Sequence, residues 1–255
     1  MRTHTTDVII GLSGGIDSSV VAALACEVLG PAHVHGYLLP GPFSSDHSLN
    51  DALLLAQNLN MHTETVSITP AYDAFVESFS VLQDKITGVA LENTQARCRM
   101  VVLMAIANEH EWLVLNTGNR SEAMMGYSTL YGDTVGAFAP IGGVYKTDVF
   151  AVARHINEKA MQADKVPPIP QNILTKPPSA ELAPNQTDEA TLGSYEALDA
   201  VLKLYLEEGK NEHDITDLGF DEAEVTRIIR RMQHYEFKRN MEPPYAHISY
   251  GEAAK

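Results

Sequence analysis

The residues best suited to chemistry form a short run of serines, glycines and one aspartate near the amino end. Residues 13–19 read Ser-Gly-Gly-Ile-Asp-Ser-Ser. Glycines let a backbone turn tightly and bring its N–H groups to an anion, and serine hydroxyls add further donors. Asp17 would repel a phosphate directly, so we expect it to hold a magnesium ion that bridges phosphate oxygens. Because the run lacks the lysine of the Walker pattern, it predicts a different kind of phosphate loop.

The elements on either side predict that this loop joins a buried strand to a helix. Residues 7–12 form a short apolar run, and residues 17–29 have a helical periodicity that stops at Gly30-Pro31. A helix that follows such a loop presents the positive end of its dipole to the same anion. The sequence therefore predicts an anion site at the start of the first helix.

Further apolar runs alternate with helical patterns along the first half of the chain. Strands are predicted at 33–39, 63–68 and 112–116, and helices from Ser45 or Asp46 to residue 59, at 70–85 and at 91–110. This alternation predicts an α/β fold, a doubly wound parallel sheet with helices on both faces. Ligands bind such folds at the carboxyl ends of the strands, so residues 13–19 and the turn at 117–119 should reach one crevice.

The second half of the chain differs in composition from the first. Residues 161–190 are rich in proline and predict a lid loop, because long loops in compact domains are usually functional or disordered. Helices are predicted at 191–208 and 221–237. We therefore expect one domain over 1–255, with a nucleotide-binding core at 1–160, the lid, and a C-terminal helical part at 191–255.

Charge and composition limit the partners of this chain. A net charge of −15 would repel a nucleic-acid backbone, so no nucleic acid is expected. No apolar run reaches the ~20 residues of a membrane span, and Met1–His4 lead directly into the first strand without a secretory leader. Cys26 and Cys98 indicate reduced, buried thiols. These features predict a cytoplasmic location without a membrane partner.

The Ser13–Ser19 run resembles the pyrophosphate loop of the ATP pyrophosphatase superfamily, whose fold is Rossmann-like and adenine nucleotide alpha hydrolase-like. The resemblance implies cleavage of ATP between its α and β phosphates, with AMP attached to a substrate oxygen. It leaves the substrate open, because GMP synthetases and tRNA-modifying enzymes share the loop. A non-catalytic adenine-nucleotide binder is the alternative of a different class, although such binders need no second acid.

Five further stretches resemble the NAD synthetase family and extend the likeness over nearly the whole chain. They are Glu92–Arg97, Asn116–Glu122, Tyr127–Pro140 with Lys146, Lys176–Glu189, and Lys238-Arg239. The resemblance implies the last step of NAD biosynthesis, in which ATP adenylates deamido-NAD and ammonia displaces AMP to form NAD. ATP would serve as co-substrate and Mg²⁺ as cofactor, and the family suggests a homodimer.

The resemblance also implies roles for single residues. The magnesium ligands would be Asp17 and Glu122, and the catalytic residues Asp17, Asp133 and Lys146, where Asp133 takes a proton from ammonium or positions ammonia. The implied ATP contacts are Gly11, Leu12, Ser13, Gly14, Gly15, Ile16, Asp17, Ser18, Ser19, Leu39, Thr117, Lys146 and Ser179. The implied deamido-NAD contacts are Asn93, Arg97, Glu122, Tyr131, Asp133 and Lys238.

Departures from the family pattern leave the nitrogen donor open. Few residues precede the phosphate loop, where ammonia-using members carry a helical segment, and Ala137 replaces their usual aspartate. Residues 38–52 and 132–140 look more like the synthetase domain of glutamine-dependent members, whose amidase domain this chain lacks. The chain would then be a free-standing ammonia-using synthetase, a subunit fed by a separate glutaminase, or a shortened relative. We prefer the first interpretation.

Overall fold

A parallel sheet of four strands forms the centre of the fold. The computed structural model describes residues 5–184 and 186–250. The strands are β1 (Val8–Gly11), β2 (Val34–Leu38), β3 (His62–Thr65) and β4 (Leu113–Val114), in the order β3-β2-β1-β4. Val8 pairs with Val34 on one side and with Leu113 on the other. The strand order reverses at β1, so the loop that follows β1 lies at the point where such sheets bind ligands.

Helices cover both faces of the sheet, as the alternating pattern predicts. In the first two thirds of the chain they are α1 (Ile16–Leu29), α2 (Asp46–Leu59), α3 (Thr69–Ser78), α4 (Val89–His110), α5 (Arg120–Met125) and α6 (Lys146–Gln162). Val8 and Ile10 pack in one core cluster with α1, α2 and α6, whereas Ile9 packs in another with α3 and α4. Successive strand residues point to opposite faces, so β1 contributes to both cores.

The C-terminal helices build a third core beside the sheet. They are α7 (Gln171–Thr175), α8 (Glu189–Leu192), α9 (Tyr195–Leu206), α10 (Glu212–Asp217), α11 (Glu222–His234) and α12 (Glu236–Arg239). Leu198 and Val201 of α9 and Ile228 of α11 are completely buried there with Met125 of α5. This packing fixes α5, which carries part of the predicted site, against the end of the chain.

Several predicted boundaries are wrong. Helix α3 ends at Ser78 rather than near residue 85, where the chain passes into a short 3-10 helix at Phe79–Val81. Gly193, at φ 83°, ends α8 and separates it from α9, so the helix predicted at 191–208 begins later. The predicted loop at 161–190 contains α7 and the start of α8.

Two predictions from composition can be compared with the structure. Cys26 and Cys98 are free and buried, which confirms the prediction of unpaired thiols. Within residues 5–184 and 186–250, every helix is too short or too polar to cross a membrane. Met1–His4 and residues 251–255 lie outside the described residues, as does Asn185 of the predicted lid.

Candidate active site

A cavity of about 620 Å³ opens at the carboxyl ends of β1, β2 and β4. Its walls come from the loop after β1, one face of α4, the start of α5, residues 176–182 and 186–191, and the last helices. Cavities of several hundred Å³ are typical of sites for nucleotide-sized ligands. The cavity therefore lies where the predicted fold places the crevice.

The phosphate loop passes very close to the start of α2. Gly14 has φ 71°, and a Cβ added there would lie 2.1 Å from the Ser48 carbonyl oxygen. Gly15 is the N-cap of α1 and makes no side-chain cap hydrogen bond. The first N–H groups of α1 therefore have no side-chain acceptor at the cap, which suits them to a bound anion.

The serines of the loop hold its shape from within. Ser18 and Ser19 donate their hydroxyls to the Gly15 carbonyl oxygen at 3.2 and 2.7 Å. Ser13 Oγ accepts from the Gly15 N–H at 3.2 Å and lies 3.1 Å from Ser18 Oγ. The hydroxyls of Ser18 and Ser19 are thus engaged by the loop itself, and Ser19 is fully buried outside the cavity lining.

A buried lysine lies between the two acids that the resemblance implies as magnesium ligands. Lys146 Nζ donates to Asp17 Oδ2 at 2.5 Å and to Glu122 Oε1 at 3.1 Å, and its side chain is only 2% exposed. Burial alone would lower the pKa of Lys146, but the two carboxylates raise it above its ordinary value. We call Asp17, Lys146 and Glu122 the charge cluster, and Lys146 is its permanent cation.

Asn119 ties the charge cluster to the start of α5. It is the N-cap of α5, and its Oδ1 accepts from the Glu122 N–H at 3.0 Å. Its Nδ2 donates to Asp17 Oδ1 at 2.9 Å. One amide side chain therefore fixes the relative positions of α1 and α5 at the cavity.

The donor set of the charge cluster fits Mg²⁺ when phosphates complete the coordination. Mg²⁺ is typically bound by one or two carboxylates together with substrate phosphates. Asp17 and Glu122 supply two carboxylates that contact the same ammonium. In the described part of the chain, no group of three or more His, Cys, Asp or Glu side chains could hold a metal ion. A magnesium ion would thus be shared between these two acids and a nucleotide.

The opposite wall carries the predicted dinucleotide contacts. Asp133 Oδ1 accepts from the Thr129 N–H at 2.5 Å, and burial raises the pKa of Asp133 to about 6. Lys238 Nζ donates to the carbonyl oxygens of Gly126 and Ser128 at 2.8 and 2.5 Å. Asn93 Oδ1 accepts from the Thr129 hydroxyl at 2.7 Å. These bonds hold the chain at 126–133 against α4 and α12.

The proline-rich segment lies over the cavity. Glu181 accepts from the Ser45 hydroxyl at 2.9 Å, the Ser45 N–H at 3.2 Å and the Ser48 hydroxyl at 2.5 Å. Gln95 Nε2 donates to the Leu182 carbonyl oxygen at 2.9 Å. Ser179 donates to the Gln186 carbonyl oxygen at 2.5 Å and lines the cavity. The segment is thereby bonded to both α2 and α4.

Most of the site residues expected from the sequence line this cavity. They are Gly11, Leu12, Ser13, Gly15, Ile16, Asp17, Ser18, Leu39, Asn93, Thr117, Glu122, Asp133, Lys146, Ser179 and Lys238.

Four expected residues are not brought to the cavity: Gly14, Ser19, Arg97 and Tyr131. Gly14 packs on α2, and Ser19 turns back to the loop. Arg97 is exposed and donates to the Leu130 carbonyl oxygen, and Tyr131 is 59% exposed.

Other residues line the cavity although no individual role was expected for them from the sequence, among them Arg99, Asn119, Tyr127, Asp188 and Glu242. Asp188 is 3% exposed and accepts from the Tyr195 hydroxyl at 3.0 Å. Burial, and to a smaller extent the charge of nearby Asp133, raise the pKa of Glu242 to about 7. Helical spacing from Glu92 was the one signal that could have found Arg99.

The family profile described as NAD synthase matches residues 1–242. The chain belongs to the NAD synthase family. A NAD synthase relative, the glutamine-dependent NAD(+) synthetase of Synechocystis sp., is 46% identical over 237 residues. That match covers 92% of this chain but 41% of the relative, so the chain spans about two fifths of such curated relatives.

Solved structures of the NAD synthase family match over nearly all of this chain. The NMN synthetase from Francisella tularensis is 34% identical, with a TM-score of 0.76, and the match covers 92% of this chain and 87% of that one. The NH3-dependent NAD synthetase from Campylobacter jejuni is 30% identical, with a TM-score of 0.73 and coverages of 93% and 88%. These likenesses confirm the α/β fold predicted from the sequence.

The contact between Gly14 and α2 generates a stability prediction. Gly14→Ala should lower the free energy of unfolding by about 3 kcal/mol, because the new Cβ meets the Ser48 backbone at an already unfavourable φ. Gly209→Ala is the matched control, since Gly209 has φ 68° but nothing within 4 Å of an added Cβ. It should lose only about 1 kcal/mol. Urea unfolding of both variants measures the difference, and equal losses would contradict the close approach.

Proposed function

We propose that this NAD synthase family member is a ligase that converts deamido-NAD to NAD, using ATP and ammonia. The charge cluster beside the phosphate loop carries the proposal, because it combines two acids suited to bind magnesium with a lysine at the start of a helix beside the predicted anion site. Family membership supports the ligase class. The activity is a proposal for this chain, since the curated relatives it matches are more than twice as long.

The first step would join the substrate carboxylate to AMP. A carboxylate oxygen of the nicotinate attacks the α-phosphorus of ATP, the bond to the β-phosphate oxygen breaks, and pyrophosphate leaves. The N–H groups at the start of α1 and the Lys146 ammonium would hold the departing pyrophosphate by offsetting its charge. Magnesium held by Asp17 and Glu122 would neutralise charge on the phosphate oxygens.

The second step would form the amide. Ammonia attacks the activated carbonyl carbon, and AMP leaves with the bonding electron pair of its oxygen. The attacking nitrogen must then lose a proton. Asp133 is a suitable acceptor, since burial raises the pKa of its carboxyl to about 6 and so towards neutrality. An acyl-adenylate reacts with water as well as with ammonia, so the cavity must be covered while it exists.

Residues 176–188 would act as the cover. Glu181 receives three hydrogen bonds from the N-cap and first turn of α2, and Lys176 Nζ donates to Ser48 Oγ at 2.8 Å. Ser48 also packs against Gly14 of the phosphate loop. We infer that Glu181 latches this segment in the closed position and couples it to the phosphate loop. The domain division at 160 and 190 remains a prediction.

A second candidate function follows from the structural likeness to the NMN synthetase of Francisella tularensis. The substrate would then be the smaller mononucleotide, and the product NMN. The nitrogen donor is a separate question, because the sequence relative is named glutamine-dependent and the Campylobacter structure NH3-dependent. We propose free ammonia, with a separate glutaminase as the alternative source. A homodimer and a cytoplasmic location are also proposals.

The proposed function predicts amide formation with ammonium alone. We expect the purified chain to form NAD from deamido-NAD, ATP, magnesium and ammonium, as quantified by chromatography. The mononucleotide and glutamine are tested in parallel. NMN formed in preference to NAD would favour the second candidate, and a strict need for a glutaminase would exclude free ammonia. If neither NAD nor NMN forms with any nitrogen donor, the proposed function is contradicted.

Substitution of Asp17 tests whether the reaction in that assay depends on the charge cluster. Asp17→Asn should slow NAD formation at least about 100-fold, because a magnesium ligand is lost beside the phosphate loop. Asp46→Asn is matched to it, since Asp46 is also a first-turn helix acid but is exposed and outside the cavity lining. Asp46→Asn should keep normal turnover.

The latch generates a prediction about coupling. Glu181→Ala should lower NAD formation about 10-fold and raise the pyrophosphate released per NAD above one, because water reaches the acyl-adenylate. Limited proteolysis within residues 176–188 should be faster. Glu189→Gln, at an exposed glutamate of the same region, is the control. A variant with the stoichiometry and proteolysis of the unchanged protein would remove Glu181 from this role.

A further inference from the structure

Arg99 is a cavity cation without a carboxylate partner. It lies on α4 and lines the cavity, and its Nε donates to the Leu39 carbonyl oxygen at 3.0 Å. Among the described residues, no carboxylate forms a salt bridge with its guanidinium. A guanidinium carries five N–H donors, and the Leu39 bond uses one of them. The remaining donors form no hydrogen bond with the described residues, and the side chain that carries them lines the cavity.

The other cations of the cavity are already engaged. Lys146 is bonded to two carboxylates, and Lys238 to two backbone carbonyl oxygens. Lys176 is bonded to Ser48 and lies 3.9 Å from a carboxylate oxygen of Asp51. Arg231 donates to a backbone carbonyl oxygen and lies over the ring of Tyr235. Arg99 differs from them in that, among the described residues, its contacts are a single hydrogen bond with no salt bridge and no ring contact.

The orientation of the Arg99 guanidinium is fixed by its surroundings. Leu39 directly follows β2, and a Cβ added at Gly41 would lie 3.0 Å from Arg99 Nη2. The bare backbone of Gly41 thus leaves room for the guanidinium beside the Leu39 carbonyl. Burial lowers the pKa of Arg99, and the charges of Cys98, Glu181 and Asp133 oppose that shift only in part. A poorly compensated, desolvated charge is costly unless an opposite charge binds beside it.

The register of α4 explains why Arg99, and not Arg97, reaches the cavity. The lining residues Glu92, Ala96, Arg99 and Leu103 follow one another at steps of three or four, which places them on one helix face. Arg97 is two positions before Arg99, so it points to the other side, where it is exposed. Arg97, the position expected from the family resemblance, therefore does not line the cavity, whereas Arg99 does.

We propose that Arg99 binds phosphate oxygens of one of the two nucleotides that meet in this cavity. Guanidinium donors match the geometry of phosphate oxygens and can bind two of them at once. The proposal rests on the proposed function, because that function brings ATP and a second phosphate-bearing nucleotide to this cavity. Either nucleotide supplies the same chemistry, and the binding measurements separate them.

Calorimetric titration of Arg99→Met with ATP, adenosine and deamido-NAD tests the proposal. We expect binding of ATP or of deamido-NAD to weaken about 10-fold or more, because charge-assisted hydrogen bonds to phosphate are lost. The nucleotide that weakens identifies the bound phosphate, and adenosine, which has no phosphate, should bind as before. Arg230→Met is the matched control, since Arg230 is an exposed arginine of α11 outside the cavity lining.

Arg99→Lys keeps the test informative if the methionine variant does not fold. A lysine retains the charge but cannot donate two parallel hydrogen bonds. The nucleotide affinity of Arg99→Lys should therefore lie between those of the unchanged protein and Arg99→Met. If the Arg99 variants bind both nucleotides as tightly as the unchanged protein does, the role of Arg99 is contradicted and the proposed function still stands. Adenosine weakened as much as ATP would also overturn it, because the contact would be to the base. If the unchanged protein binds neither nucleotide, the proposed function fails as well.

Discussion

The buried contact of Lys146 with Asp17 and Glu122 is the interaction on which the site depends. Its three side chains come from the starts of three helices, α6, α1 and α5, that meet at the carboxyl end of the sheet. The two partly buried carboxylates repel each other, and the buried ammonium would be expensive to bury without a partner. The lysine offsets both acids at once, so the three helix starts can be held together.

The C-terminal helices support this arrangement from behind. Asp199 of α9 is 1% exposed and accepts from the Ser121 hydroxyl at 2.5 Å and from the Thr147 N–H and hydroxyl at 2.8 Å each. Ser121 Oγ in turn accepts from the Lys146 N–H at 2.8 Å. A single carboxylate therefore links α9 to the starts of α5 and α6. The third core thus helps to position the site, although its residues take no part in the proposed reaction.

Local signals were sufficient for the sheet and for the position of Asp17, whereas Glu122 and Lys146 were named from the family resemblance. The strand, glycine loop and helix at 7–29 are contiguous, and the topology of parallel sheets brings Asp17 and Glu122 to the same edge. Side chains on α4 were harder to predict, because each residue turns the helix face by about 100° and the rotation of the helix is set by tertiary packing. Arg97 and Arg99 illustrate this limit. The bonds between Glu181 and α2 join residues more than 130 positions apart, and no local pattern encodes them.

Transfer of a labelled oxygen tests the central claim, that the substrate carboxylate is adenylated at this site. The purified protein converts deamido-NAD that carries ¹⁸O at both oxygens of its nicotinate carboxylate, with unlabelled ATP and ammonium. The mass of the released AMP is then measured by mass spectrometry. The account predicts AMP with one ¹⁸O, because the oxygen that attacked the α-phosphorus leaves with it when ammonia displaces the adenylate. Unlabelled AMP, or labelled inorganic phosphate with ADP, would show that the nucleotide is cleaved elsewhere and would contradict the account.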